Sequence, residues 1–326
     1  MSFSWKLWAV LALALAPAAG FAATCTTQAE MNSQDRGMLS GVALRLAGAV
    51  AQQDFGTLQS SLLPSQAGSW EGIRGAAQQA VPLIAGGLMQ VRNLYLLDAS
   101  TLIAPADTQF FCTDKTGAIN VTISLPQIPP GKYALALADA TGAPLAGEMG
   151  IILGWDATAS AWTLAGLAAH QGVFDGHDGV WYWTRGRALA KSDPWSAYYS
   201  YAAARHLLLP VDFLTSPNLE KLQQEQGQVN PSPESAFPLS LQQGDRMWRI
   251  DGVVFDASLR EADLGVAYES TGVTEPAAQR TEATTVLSAV LKAQPGLRAN
   301  FHGLWAYAVI NGKRTPVMEL PMGQIP

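Results

Sequence analysis

The chain has 326 residues, of which 48% are hydrophobic and 14% are charged, and its net charge is −6. This length and composition predict a globular protein with sequence enough for two or three domains. The acidic balance, with no run of Lys or Arg, excludes a nucleic-acid partner, because phosphate contacts need clustered cations.

The first residues have the features of a secretory signal. Lys6 precedes an apolar run over 7–16, and the small residue Ala22 ends the segment. We expect a signal peptide over 1–22, with cleavage after Ala23 as the alternative. The run is shorter than the roughly 20 apolar residues of a membrane-spanning helix. The expected mature chain therefore has no stable membrane span and is exported, either to the periplasm or out of the cell.

Cys25 and Cys112 are the only cysteines in the sequence. In an oxidising compartment an even count favours pairing, and only one pairing is possible here. We therefore predict a disulfide bond that holds the mature N-terminus against a strand near position 112. Catalytic thiols are one alternative. A lipid anchor on Cys25 is another, although Thr24 is a poor match to the small residue that lipoprotein processing needs.

Residues 23–170 are predicted to form an α+β domain. Apolar residues at helical spacing predict helical structure over 34–63, with a junction at 51–54, and a third helix over 70–88, with Pro82 as a kink or early end. Alternating apolar residues then predict half-buried strands. These strands lie at about 119–125, 133–137, 151–155 and 162–167. Helices followed by antiparallel strands predict helices that cover one face of a curved sheet.

A family resemblance rests on two stretches, Leu44–Leu63 with Leu58 inside it, and Ala161–Gly166. Together with the order of elements, they make residues 30–168 resemble the cone-shaped domains of the nuclear-transport-factor-2-like and SnoaL-like superfamily. The resemblance implies a cone that holds a small molecule.

Enzymes of that superfamily place His, Asp or Tyr inside the cone, whereas the strands here are mostly aliphatic. Tyr95 and Tyr133 are the residues that we expect to line such a cone and contact a ligand. A transthyretin-like or immunoglobulin-like sheet over 118–167 is the alternative fold.

Residues 171–226 are predicted to be a helical hairpin that connects two domains. Asp178 and Asp193 are good N-caps, and Pro194 suits the first helical position. The spacing of Ala197, Tyr201 and Ala204 resembles the second helix of a single tetratricopeptide-type hairpin. Proteins with arrays of that hairpin bind peptides.

The hairpin is dense in aromatic side chains. Exposed Trp and Tyr residues bind sugars or peptides and are enriched at interfaces, which makes Trp181, Trp183 and Tyr198 candidate binding residues. The alternative is that these aromatics belong to a core, as aromatics at helical spacing usually do.

The C-terminal part of the chain is predicted to be a smaller α+β domain over 239–326. It follows a proline-rich linker over 227–238. The predicted order is two strands, a helix over 275–294 and two more strands. Asn311-Gly312 marks the turn between the last two strands.

No catalytic motif of a serine hydrolase, zinc protease or nucleotide-binding enzyme occurs in the sequence. Asp175 and His177 are weak candidates for metal ligands, because a carboxylate and an imidazole lie in a glycine-flanked loop. Local capping by Asp178 accounts for the same residues. Glu261 and Asp263 have the composition of a glycosidase carboxylate pair, or of a polar loop. His302, at a strand entry, is interpreted as a packing residue.

These observations lead to the expectation of an exported, non-enzymatic binding or scaffold protein without a cofactor. Its partner is expected to be a protein, a peptide or a small molecule. The alternatives are a small-molecule binder that uses the cone, and a hydrolase or isomerase that uses His177 with Asp175 or Asp178.

Overall fold

The computed structural model describes residues 23–117 and 119–326. The predicted signal peptide over 1–22 lies outside the described residues. Within the part that is described, no helix is long and apolar enough to cross a membrane.

The described chain folds into seven α-helices and fifteen strands, which confirms the predicted α+β class. The helices are α1 Ser33–Ala51, α2 Phe55–Ser60, α3 Trp70–Ile84, α4 Gly179–Leu189, α5 Pro194–Leu208, α6 Pro217–Gly227 and α7 Pro276–Ala293. The first ten strands are β1 Thr24–Thr27, β2 Leu88–Asp98, β3 Ala106–Thr113, β4 Asn120–Ile128, β5 Lys132–Thr141, β6 Glu148–Asp156, β7 Ala161–His170, β8 Val173–Phe174, β9 His177–Asp178 and β10 Leu214–Thr215. The last five are β11 Leu239–Gln243, β12 Arg246–Asp256, β13 Asp263–Glu269, β14 Gly303–Ile310 and β15 Lys313–Pro321.

The first sheet has the strand order β1-β2-β5-β6-β7 and is antiparallel throughout. Successive side chains of a strand point to opposite faces, and one face of β5 carries the alanines at 134, 136, 138 and 140, all buried. Small side chains let a helix approach the sheet closely. On this face α1 and α3 bury Leu39, Leu46 and Ile73 against the sheet, as predicted.

The other face of the first sheet is covered by a second sheet of order β10-β4-β3. Tyr133, Leu135 and Leu137 of β5 pack there against Phe110 of β3 and Ile123 of β4. Helices therefore pack on one face of the first sheet, and a second sheet packs on the other. Most of the space between the two sheets is filled by protein side chains.

The predicted disulfide bond is present and joins the two sheets. Cys25 lies on β1, at the edge of the first sheet, and Cys112 lies on β3 in the second. Their Cα atoms are 5.1 Å apart, and 87 positions of sequence separate the two residues. The covalent link therefore holds the short strand β1 in place, as the sequence predicts.

The helical hairpin has the caps that the sequence predicts. The Asp178 carboxylate accepts a hydrogen bond from the Trp181 N–H at 2.8 Å, and Asp193 accepts one from the Ser196 N–H at 3.1 Å. α4 and α5 approach closely at Gly186, where a Cβ atom would lie 3.1 Å from the Tyr201 ring. The missing side chain therefore makes room for an aromatic residue of the neighbouring helix.

The C-terminal sheet has the order β11-β12-β13-β14-β15. β13 and β14 are parallel, and α7 forms the crossover between them, whereas the other neighbours are antiparallel. α7 buries Val286 and Val290 against one face of the sheet. Tyr199 of α5 belongs to the same core, and its hydroxyl donates to the Val253 carbonyl at 3.0 Å. The hairpin thus packs directly on the C-terminal sheet.

The helical region predicted over 34–63 consists of α1 and α2. Gln53 between them has a left-handed backbone with φ of 57°, and Asp54 then caps α2. The helix predicted over 70–88 ends at Ile84, although Pro82 is accommodated inside it. The C-terminal unit also has one more strand, β11, than predicted.

Candidate functional site

A cavity of about 300 Å³ lies where the second face of the first sheet meets helix α4. We call it the hairpin cleft. Its polar lining residues are Arg92, Asn93, Tyr95, Ser216 and Asn218. Its apolar lining residues are Val121, Leu137, Val180, Trp183, Leu208, Pro210, Leu214 and Leu219. Small-molecule sites typically combine a mainly apolar wall with a few polar groups, and this volume is at the lower end of their usual range of roughly 300–1,000 Å³.

Tyr95 provides the most distinctive polar group of the cleft. The residue is only 3% exposed, and its hydroxyl makes no hydrogen bond to any residue that the structure describes. Burial raises the pKa of this phenol, with a smaller opposing effect of Arg92. The hydroxyl is therefore neutral at physiological pH and has both a donor and an acceptor to offer a molecule in the cleft.

Trp183 forms the helical wall of the cleft and is held in one orientation. Its indole N–H donates to Glu225 Oε2 of α6 at 2.8 Å. Arg187 donates to both oxygens of the same carboxylate, at 2.7 and 2.8 Å, and its guanidinium lies 4.4 Å above the Trp183 ring. A side chain fixed from two directions loses little conformational freedom when a ligand binds.

Arg92 places a cation at the rim of the cleft, but its charge is already balanced. Its guanidinium donates to Glu148 at 2.7 Å and to Asn93 at 3.1 Å, and lies 3.6 Å from Asp139. Glu148 is buried and is also 3.6 Å from Nε2 of His170. A guanidinium with these partners has little capacity left for an anion, so the cleft fits a neutral molecule better than a charged one.

The structure brings together two of the five aromatic residues predicted to bind a ligand. Tyr95 and Trp183, distant in sequence, line the same cleft. Tyr133 is on the same sheet face as Tyr95, but its hydroxyl donates to the Pro129 carbonyl at 3.0 Å and it does not line the cleft. Trp181 is 40% exposed and stacks on His177, with ring centroids 3.9 Å apart.

Tyr198 lies on the far side of the hairpin. Its hydroxyl donates to Glu234 Oε1 at 2.5 Å, and its ring packs edge-on against Tyr199. Tyr198 does not line the cleft that Tyr95 and Trp183 share.

The weak metal candidates Asp175 and His177 contact different neighbours in the described chain. Asp175 interacts with Glu261, whose pKa is raised by burial and by the Asp175 charge. His177 is exposed and stacks on Trp181. Among the described residues, Asp263, His302 and Glu319 form a group of three side chains that could hold a metal ion.

Several residues of the cleft were missed at the level of sequence. Arg92 and Asn93 lie at a bulge in the pairing of β2 with β5, and Asn218 lies in the first turn of α6. Polar side chains in an apolar region of sequence were the only indication of these residues. Whether they line one cavity depends on how distant strands pair, which the sequence does not show.

A second groove of about 520 Å³ lies near the N-terminus of α1. Trp155, Trp162 and Met38 supply its apolar surface, and Asp35 and Lys132 are at its edges. Trp155 and Met38 are both largely exposed, at 38% and 42%. Because these side chains are not held as Trp183 is, the hairpin cleft is the better-defined site.

Comparisons with protein-family models, with curated proteins and with solved structures find no match to this chain.

Proposed function

We propose that this protein is an exported, non-enzymatic binding protein that holds a small, neutral and mainly apolar molecule in the hairpin cleft. The observation that carries the proposal is the Tyr95 hydroxyl, which has no hydrogen-bond partner among the described residues and belongs to a side chain that lines the same cavity as the fixed Trp183 ring. A hydroxyl with no protein partner keeps both its donor and its acceptor available to a ligand in the cleft.

The chemistry of the lining supports binding over catalysis. No histidine or carboxylate is among the described residues that line the cleft. A hydrolase or isomerase needs a general base within hydrogen-bond reach of its substrate. The cleft offers instead a phenol, two amides and an apolar wall, which select a ligand by shape and by one or two hydrogen bonds.

Export is part of the proposal for two reasons. The predicted signal peptide leads to an oxidising compartment, and the Cys25–Cys112 bond between the two sheets is of the kind that persists there. Fractionation of the producing cells, followed by N-terminal sequencing of the recovered protein, tests this part of the proposal. A mature chain that begins near Ala23 in the periplasmic or extracellular fraction is expected. A cytoplasmic chain that retains 1–22 would contradict it.

The cleft is tested with a neutral fluorescent probe, N-phenyl-1-naphthylamine, and with its hydroxylated analogue. The apolar probe is expected to bind the wild-type protein, and Trp183→Phe is expected to weaken it, because a smaller ring leaves the wall incomplete and loses the bond to Glu225. Trp181→Phe is the matched control on the same helix, outside the cleft. Equal affinities for both variants would rule out the hairpin cleft as the site.

Tyr95→Phe separates the polar contribution from the apolar one. It should leave the apolar probe unaffected and weaken the hydroxylated analogue by about 10-fold, the effect of one hydrogen bond of about 1.4 kcal/mol. Tyr133→Phe is the matched control, since the Tyr133 hydroxyl is bonded to Pro129. Native mass spectrometry of the protein from its own compartment then identifies the natural ligand by mass.

A further inference from the structure

Three side chains of metal-binding type meet at one end of the C-terminal sheet. Asp263 begins β13, His302 immediately precedes β14, and Glu319 lies near the end of β15. β13 and β14 are parallel, so their first residues are neighbours, and β15 runs antiparallel to β14 and ends beside them. The topology therefore places residues from three strands at one point.

The separations among these groups are close to those of a coordination site. Nδ1 of His302 lies 2.9 Å from Asp263 Oδ1 and 3.9 Å from Glu319 Oε1. One ligand atom from each of the three side chains lies within 4.8 Å of the other two. Bonds of about 2.0–2.2 Å to a metal place neighbouring ligand atoms roughly 3–3.5 Å apart, so only a small contraction is needed.

The negative charges of Asp263 and Glu319 are poorly balanced by the donors and cations around them. The Asp263 side chain is wholly buried, and its Oδ2 has no hydrogen-bond donor among the described residues. Glu319 Oε1 is likewise buried without a donor. His302 is the only ion-pair partner that either carboxylate has within the described part of the chain. Buried carboxylates in proteins are paired or bind metals, because an isolated buried charge is costly.

Gly303 keeps open the space between the carboxylates. A Cβ atom at this position would lie 2.3 Å from Glu319 Oε1 and 3.0 Å from Asp263 Oδ1. Both oxygens therefore face the same small volume, and any side chain at 303 would occupy it. The site also has an entrance, because the His302 side chain is one-third exposed.

We propose that Asp263, His302 and Glu319 bind a divalent first-row transition metal ion such as Zn²⁺. An imidazole with two carboxylates is a donor set that suits these ions, and three protein ligands leave at least one coordination position for water. The ion links the last strand, through Glu319, to the parallel pair at the centre of the sheet. It therefore acts as a clamp on the C-terminal strand.

The test is a titration of the chelator-treated full chain with Zn²⁺, followed by calorimetry, and with Co²⁺, followed by visible absorption. One ion per chain is expected, together with a Tm that rises with Zn²⁺ concentration. Glu319→Gln and Asp263→Asn replace a ligand by an amide of equal size and are expected to weaken binding at least about 10-fold. His177→Ala is the matched control, because it removes an exposed histidine outside the cluster and should bind like the wild type.

Thermal unfolding without metal checks that each variant folds. If Asp263→Asn fails this check, Glu319→Gln decides, since Glu319 is partly exposed and its side chain makes no hydrogen bond that the fold depends on among the described residues. A wild-type protein that binds no ion would show that the cluster is only a proton-sharing His–Asp pair and would overturn the proposal. Ion binding that both amide variants retain would overturn it as well, because the ion would then lie elsewhere.

Discussion

Tyr95 of β2 and Tyr133 of β5 lie on the same face of the first sheet, on two strands that pair directly. Their hydroxyl groups nevertheless make different contacts. The Tyr133 hydroxyl donates to the Pro129 carbonyl at 3.0 Å, whereas the Tyr95 hydroxyl faces the hairpin cleft without a partner among the described residues. One residue thus contributes to the fold, and the other presents a free group to the cavity.

This difference predicts a larger loss of stability for Tyr133→Phe than for Tyr95→Phe. Tyr133→Phe should lower the free energy of unfolding by about 1 kcal/mol, because it breaks one hydrogen bond and leaves the Pro129 carbonyl without its donor. Tyr95→Phe should change it by less than about 0.5 kcal/mol, since no protein bond is lost. Urea unfolding followed by circular dichroism measures both values. An equal loss in the two variants would mean that the Tyr95 hydroxyl has a partner in the protein.

At the level of single residues, the sequence predicted the Cys25–Cys112 bond, because it contains only two cysteines. Tyr95 and Trp183, which the sequence proposes as ligand contacts, both line the hairpin cleft. Asp263 and His302 were both noticed in the sequence but assigned to a loop and to packing. Glu319 was not noticed, because an acid in an apparent edge strand has no local feature that distinguishes it.

The C-terminal end of α3 lies very close to the turn that precedes β6. A Cβ atom at Gly147 would lie 2.4 Å from the backbone oxygen of Leu83. Gly48, inside α1, has no atom within 4 Å of its Cβ position. The same substitution is therefore expected to have opposite signs at the two glycines.

Gly147→Ala should destabilise the protein by about 1–3 kcal/mol, because the contact is with backbone that cannot rotate away. Gly48→Ala should stabilise it by about 0.5–1 kcal/mol, since alanine loses less conformational entropy than glycine in a helix. Thermal unfolding of both variants gives the two shifts in Tm. A loss of stability in Gly48→Ala would indicate that α1 packs more closely at that position than the structure shows.

The contact between α4 and α6 depends on a single carboxylate. The pKa of Glu225 is lowered, chiefly by the hydrogen bonds from Arg187, with the Trp183 indole adding to the effect and burial opposing it. The folded-state pKa is below the ordinary value of about 4.5, so the stabilisation is present above that value and is lost as the pH falls through the folded pKa.

Glu225→Gln should therefore lower stability near neutral pH by about 1 kcal/mol, the size expected for a partly exposed ion pair with good geometry. Below the folded-state pKa the variant and the wild type should converge. Urea unfolding at a series of pH values measures this dependence. Glu220→Gln, on the same helix and without a side-chain bond among the described residues, is the matched control and should follow the wild type throughout.

Elements whose signals are local were predicted well. The caps of α4 and α5, and the turn at Asn311-Gly312 with φ angles of 51° and 75°, follow from a few adjacent residues. The separate sheet formed by β3, β4 and β10 was not predicted, because it depends on pairing between β4 and a two-residue strand about 90 positions later. Alternation of side chains identifies a strand but does not identify its neighbour.

At the scale of the whole molecule, the disulfide bond links the two layers of the N-terminal half. In the unfolded chain, this bond closes a loop across the 87 positions between Cys25 and Cys112, which the chain-entropy argument values at about 4–5 kcal/mol. The double variant Cys25→Ala/Cys112→Ala should lose about 2–5 kcal/mol of stability in urea. Reduction of the wild type should give the same loss, and a reductant should have no effect on the variant.

The meeting of Asp263, His302 and Glu319, and the close fit of the hairpin to the C-terminal sheet, both arise at this scale. The cluster requires the register of β13, β14 and β15, whereas the hairpin packs on β12, where the Tyr199 hydroxyl donates to the Val253 carbonyl. The periodicity of the sequence predicts the strands and the helix. It does not predict that β13 and β14 pair in parallel. The lining of the hairpin cleft also depends on contacts between distant segments, so the sequence identifies some of its residues but not the complete set.

Helix α5 has apolar side chains on more than one side, and they are buried against different neighbours. Tyr199 is in the core of the C-terminal sheet, Tyr201 packs against Gly186 of α4, and Leu208 lines the cleft beside the first sheet. A chain shortened to 239–326 would therefore expose the surface that α5 normally covers and should aggregate or stay unfolded. A piece that begins near residue 171 retains that cover. Anyone who cuts this protein into parts for expression should keep the helical hairpin with its C-terminal neighbour.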